Sequence, residues 1–139
     1  MSNRDARILR YFLSQQDAAD NFVSNNDENK SVMMTETRIY VGLNDAETRE
    51  QKFETEKYMS ILKNVCKSYH VAFSLDVEEG GYFHDDGEYT EETSLVLILI
   101  DADPEIVREI ATDLCVFFHQ ESVMVTESLV QACFIRPTV

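Results

Sequence analysis

The chain has 139 residues, is 44% hydrophobic and carries a net charge of −14, from 26 acidic against 12 basic residues. That length and apolar content suit one domain around one core, and the charge argues against nucleic acid as a partner, because phosphate binding needs clustered Lys and Arg. Three readings of the acidity stay open: a cationic small molecule, a basic protein, or a solvated surface.

Residues 4–23 place Ile8, Phe12, Ala19, Phe22 and Val23 near one helical face. Ser24–Ser31 is polar and turn-rich and reads as a linker. Residues 1–34 are therefore expected to be a helix and linker appended to a domain at 35–139. Thr37–Leu43 alternates, with Ile39, Val41 and Leu43 on one face, and predicts strand one. Residues 50–69 carry Tyr58, Ile61, Leu62, Val65, Cys66 and Tyr69 at helical spacing. Val71, Phe73, Leu75 and Val77 alternate again as strand two, and Gly80–Thr90 reads as a polar loop. Ser94–Asp101 is strand three, apolar on both faces. Asp103-Pro104 is a cap followed by proline at the first helical position, and it opens a helix with Ile106, Ile110, Leu114 and Phe117. Ser122–Thr126 and Val130–Ile135 are expected as strands four and five.

The predicted order, β-α-β-β-α-β-β, gives an α+β, ferredoxin-like (PII-like) βαββαβ core with an extra C-terminal strand and an N-terminal helical extension. Such a sheet has helices on one face only. A strand apolar on both faces then calls for a cover, which copies of the same chain would supply. A homo-oligomer, most simply a ring, is expected. Cys66, Cys115 and Cys133 are odd in number, lack CxxC spacing and lie in apolar periodic segments, so they read as small buried hydrophobes in a reducing compartment. No signal peptide is recognisable behind Arg4, Arg7 and Arg10. The most apolar run, Leu95–Ile100, is far too short to span a bilayer. The expected location is the cytoplasm, with no membrane partner.

His84-Asp85-Asp86-Gly87-Glu88 has the composition of a metal loop but neither the calcium spacing nor a second zinc-spaced His. A solvated turn accounts for it, and no metal or cofactor is expected. His119, at the end of the second helix, reads as a cap, and His70 has no evident partner in the sequence. With four glycines and no GxGxxG or P-loop, the usual nucleotide-phosphate machinery is missing. No Ser-His-Asp or Cys-His set can be defended. Glu91 and Glu92 stand where a loop enters the most apolar strand, and Gln120 and Glu121 stand at the entrance to strand four. Desolvating an unpaired carboxylate is costly, so these acids are either solvated strand ends or contacts for a cationic ligand. Reading strands three and four as antiparallel puts their entrances about 25 Å apart at ~3.3 Å per residue. On that reading the acids cannot share a ligand within one subunit, and a functional site has to lie between subunits.

Gly80-Gly81-Tyr82, Glu91-Glu92 and Gln120-Glu121-Ser122-Val123 occur in an order that resembles the phage S-adenosylmethionine lyases, long described as hydrolases. The resemblance covers roughly residues 37–136. It implies a small homotrimer with a ferredoxin-like core related to the PII signalling proteins. It also implies S-adenosylmethionine as substrate, with Tyr82, Glu92, Gln120 and Glu121 forming the active site, Glu92 and Tyr82 catalytic, and strand-one backbone helping to hold the adenosine. The implied role is depletion of a methyl donor and restriction cofactor in the host. Two alternatives belong to other classes: a PII-like module that binds a small ligand without turning it over, and an acidic anti-restriction protein that mimics DNA.

Overall fold

The computed structural model describes residues 31–138. Of the helix and linker expected over residues 1–34, residues 1–30 lie outside the described residues, and 31–34 are strand. Ile39 and Val41, alternate residues of β1 (Ser31–Gly42), are fully buried, as is Leu43 just beyond it. This is the alternation a half-buried strand requires. The strand begins at Ser31, six residues ahead of the predicted Thr37.

Helix α1 (Thr55–Ser68) buries Tyr58, Leu62, Val65 and Cys66 along one stripe. Burial pushes the Cys66 thiol up to about 11. The helix closes with Tyr69 N–H on Val65 O, His70 N–H on Lys67 O and Val71 N–H on Cys66 O. His70 sits at φ 55°. This is a Schellman turn with a histidine in the left-handed position. His70 thus ends α1. Strand β2 (Ser74–Phe83) begins four residues later.

The predicted Gly80–Thr90 loop is mostly strand. β2 runs through Gly80, Gly81 and Tyr82, and pairs antiparallel with β3 (Tyr89–Ile100) in the register Gly80↔Glu92, Gly81↔Glu91 and Tyr82↔Thr90. The turn shrinks to residues 84–88, closed by His84 N–H on Glu88 O and Gly87 N–H on His84 O. A Cβ on Gly81 would collide with the Tyr89 ring, so the glycine lets that ring lie across the strand.

Helix α2 (Pro104–Phe117) starts as expected, with Asp103 Oδ1 accepting Glu105 N–H at 2.8 Å. It buries Val107, Ile110, Ala111 and Leu114. Its end repeats the Schellman turn, through Phe118 N–H on Leu114 O, His119 N–H on Val116 O and Gln120 N–H on Cys115 O, with His119 at φ 52°. Phe118, four residues after Leu114, rather than the predicted Phe117, continues the buried stripe: Phe118 packs edge-on to Tyr58 at 5.1 Å, while Phe117 is exposed. Tyr69 Oη donates to Asp113 Oδ2 at 2.6 Å between the helices. That bond, with burial, pushes the Tyr69 phenol up to about 12.

A single strand β4 (Met124–Cys133) replaces the predicted strands four and five, so among the described residues there is no extra C-terminal strand. The sheet is antiparallel, in the order β2-β3-β1-β4. With βαββαβ connectivity this is the ferredoxin-like arrangement. Two compact units are distinguished: residues 37–126, and, among the described residues, 31–36 with 127–138. In the second unit Gln131 Nε2 donates to Ser31 Oγ at 3.5 Å.

The sheet order corrects the predicted strand directions. β1 lies between β3 and β4 and is antiparallel to both, so β3 and β4 run the same way. Their entrances are at one end of the sheet. The helical crossover α2 makes this necessary, since a strand–helix–strand unit returns its second strand parallel to the first.

Candidate functional site

The exit of β1 organises that end of the sheet. Asn44 N–H donates to Glu92 Oε2 at 3.0 Å, and Asn44 Nδ2 donates to Glu91 O at 3.2 Å. Gln120 Nε2 donates to Asn44 O at 2.6 Å and to Phe118 O at 3.2 Å. One backbone unit is therefore held by Glu92 on one side and Gln120 on the other. Glu92 is half-buried, on the face opposite Leu95 and Leu97, with its carboxylate over Gly42. A Cβ there would meet Oε2 at 2.5 Å, Cδ at 2.6 Å and Oε1 at 2.7 Å. Gly42 is thus the residue that lets the carboxylate lie against strand β1. Among the described residues none donates to Oε1.

Both amide hydrogens of Gln120 are aimed at carbonyls. This fixes the orientation of its amide and leaves the carbonyl oxygen as the group it can offer outward.

Asp45 is 5% exposed and anchors the following loop. Its Oδ1 accepts Glu47 N–H at 2.9 Å and Thr48 N–H at 3.1 Å. Its Oδ2 pairs with His119 Nδ1 at 2.6 Å and Lys52 Nζ at 3.1 Å. The His119 hydrogen bond, followed by that from Thr48 N–H, holds the Asp45 carboxyl well below the usual carboxylate range. Ala46 N–H on His119 O, at 3.0 Å, makes a second link to the end of α2. His119 therefore does more than cap a helix: it joins the end of α2 to the loop after β1. Arg49 N–H donates to Asp45 O at 2.8 Å, and Arg49 sits at φ 61°. For a non-glycine residue that backbone costs roughly 1–2 kcal/mol.

These elements enclose a cleft of about 300 Å³ lined by Asn44, Asp45, Ala46, Arg49, Tyr82, His84, Glu92, Gln120, Glu121 and Ser122. All four residues picked out in the sequence, Tyr82, Glu92, Gln120 and Glu121, border this one cleft of one chain. The expectation that Glu92 and Gln120-Glu121 lie at opposite ends of the sheet, and can meet only across a subunit boundary, is overturned. Tyr82 is 44% exposed and stands edge-on to His84 at 5.0 Å, while His84 Nε2 is 2.8 Å from Thr90 Oγ1. A second depression, of about 490 Å³, adjoins the first and shares Asn44 and Glu92 with it.

The sequence reading missed Gly42, Asn44, Asp45, Arg49 and His84 as parts of this end of the sheet. Its nearest signal was the Gly-Leu-Asn-Asp run closing strand one, which carries both a small residue and two turn formers. Just beyond strand one, the Asn44 N–H and C=O are occupied by Glu92 and Gln120.

No protein-family profile matches the chain, and no curated protein matches it. Solved structures do. A phage SAM lyase in complex with S-methyl-5′-thioadenosine aligns at a TM-score of 0.53 and 22% identity, over 71% of this chain and 88% of that one. A phage SAM lyase in the apo state aligns at a TM-score of 0.54 and 22% identity, over 76% of this chain and 91% of the other. At that identity the likeness establishes a shared fold.

Proposed function

We propose that the chain is an S-adenosylmethionine lyase, releasing 5′-methylthioadenosine and L-homoserine lactone. The observation that carries this reading is the meeting of Glu92, Tyr82, Gln120 and Glu121 on one cleft, in a fold shared with phage SAM lyase structures. The substrate carries a sulfonium, an ammonium and a carboxylate. Its own carboxylate oxygen attacks the γ-carbon, the C–S bond breaks, and sulfur keeps the electron pair as a neutral thioether. The lactone keeps the ammonium. No water is consumed and no proton changes hands, so the protein needs no side-chain nucleophile.

What the protein supplies is a near-attack conformer, with the reacting atoms held ≈ 3–3.5 Å apart. Glu92, fixed by Asn44 N–H, has Oε1 to offer the ammonium. The Gln120 carbonyl accepts from a hydroxyl or amine of the substrate. Glu121 adds negative potential at the rim, and Tyr82 packs on the nucleoside. The proposal includes a homotrimer: Ile100, Met124 and Val125 leave apolar surface at 45%, 58% and 44% exposure. It also includes a phage counter-restriction role in the host cytoplasm, with 35–139 as the lyase domain.

The test is incubation of the pure protein with S-adenosylmethionine and chromatographic identification of products. Methylthioadenosine and homoserine lactone in equal amounts are expected. Binding without turnover returns the PII-like module, and neither binding nor products overturns the proposal.

A further inference from the structure

The cleft is not uniformly acidic. Besides Glu92 and Glu121 it is lined by Arg49, and no described carboxylate forms an ion pair with that guanidinium. In a chain of net charge −14 an arginine on an acidic cleft wall has carboxylates near at hand, yet Arg49 is left unmatched. It is also held in place: its left-handed backbone at φ 61° is tied to Asp45 O, and the Asp45 side chain is locked by His119. Glycine would adopt that backbone without strain, so the backbone alone does not call for an arginine.

A cleft lined by one arginine and two glutamates is the complement of a zwitterion. Glu92 and Glu121 favour an ammonium, and Arg49 matches a carboxylate through its planar fork of donors. We propose that Arg49 binds the free carboxylate of the substrate's amino-acid moiety, so that the cleft selects ligands carrying an intact α-amino acid and not the nucleoside alone. This rests on the reading of the cleft as an S-adenosylmethionine site and adds to it the residue that orients the attacking group. A two-point hold on ammonium and carboxylate fixes the side chain about the bond between them. One carboxylate oxygen engages the guanidinium while the other faces the γ-carbon.

The experiment compares two unreactive ligands by calorimetry on the full chain. S-adenosylhomocysteine carries the amino acid; methylthioadenosine lacks it. Arg49→Gln is expected to weaken S-adenosylhomocysteine binding about tenfold, the size of one charged contact discounted for exposure, and to leave methylthioadenosine unchanged. Arg49→Gly, which removes the side chain where glycine is unstrained, is expected to give the same pattern with no loss of thermal stability. Arg49→Lys, which keeps the charge, should recover part of the loss. Equal affinity of wild type and Arg49→Gln for S-adenosylhomocysteine overturns the proposal, as does equal weakening of both ligands. A wild-type chain that binds neither ligand and yields no products overturns the lyase reading itself, a separate outcome.

Discussion

Replacing Gly42 with alanine perturbs the site from the opposite strand without touching a charged group. The new methyl would lie 2.5–2.7 Å from the Glu92 carboxylate atoms. Ordinary contact is about 3.5 Å or more, so the carboxylate must withdraw by about 1 Å. The obstacle is the end of a flexible side chain, so the backbone need not shift. Glu92 then gives up its bond from Asn44 N–H, a loss of about 1 kcal/mol for a half-exposed charged contact. Alanine in place of glycine in a strand returns roughly 0.5–1 kcal/mol. The melting temperature should therefore stay within a few degrees of wild type, and circular dichroism should be unchanged. Activity should fall about 100-fold, because a misplacement near 1 Å costs that much when catalysis rests on positioning. The assay is methylthioadenosine release from S-adenosylmethionine, read beside a thermal melt. A Gly42→Ala protein with wild-type turnover would refute the reasoning that Glu92 acts from its seat on β1.

Asp45→Asn should destabilise the loop after β1 and lower activity, since the His119 and Lys52 pairings are lost together. Because the Asp45 carboxyl is depressed in the folded state, its stabilisation is complete above the ordinary value of 3.8 and is lost as pH falls through the folded one. The stability gap to Asp45→Asn, followed by urea unfolding, should thus persist at about pH 5 and close only below about pH 4; a gap already closed at pH 5 contradicts the assignment. Cys66, buried and with its thiol pushed up to about 11, should resist iodoacetamide at pH 8 in the folded protein and react on unfolding; rapid native labelling mapped to Cys66 by mass spectrometry is the contrary result. Turnover should be indifferent to EDTA. Loss of activity restored by one divalent ion would return attention to the His84–Glu88 turn.

Where one physical signal dominated, the sequence was readable. Ile39, Val41 and Leu43 alternate because only one face of β1 packs on the helices. Asp103-Pro104 names its own helix start, as a cap and a proline can do little else there. The hairpin was harder. Gly80-Gly81 reads as a turn, but Gly81 is a strand residue made small by the Tyr89 ring lying across it, a contact that belongs to the partner strand. Phe117 took the core place that belongs to Phe118: they stand three and four residues after Leu114, and helical spacing admits either. Glu127 and Ser128 interrupt the apolar pattern of β4 without interrupting the strand. Glu92, Gln120 and Glu121 were legible as polar groups at strand entrances, and Tyr82 only through the family resemblance. Their meeting was not, since it follows from strand direction. The direction was recoverable in principle, because a helix between two strands makes them parallel, as α2 does for β3 and β4. Arg49 carries no local signal, and Gly42 only that of a small residue closing strand one, because its role is set by the Glu92 carboxylate lying over it.

The measurement that bears most directly on the one-chain site uses two single variants. Glu92→Gln and Glu121→Gln chains are unfolded together, refolded as a mixture and assayed for methylthioadenosine. With Glu92 and Glu121 bordering one cleft of one chain, no combination of chains restores a site with both carboxylates. The mixture is predicted to show no more than the average of the two single variants. Activity rising clearly above that average would place the two residues on opposite sides of a subunit boundary and contradict the account.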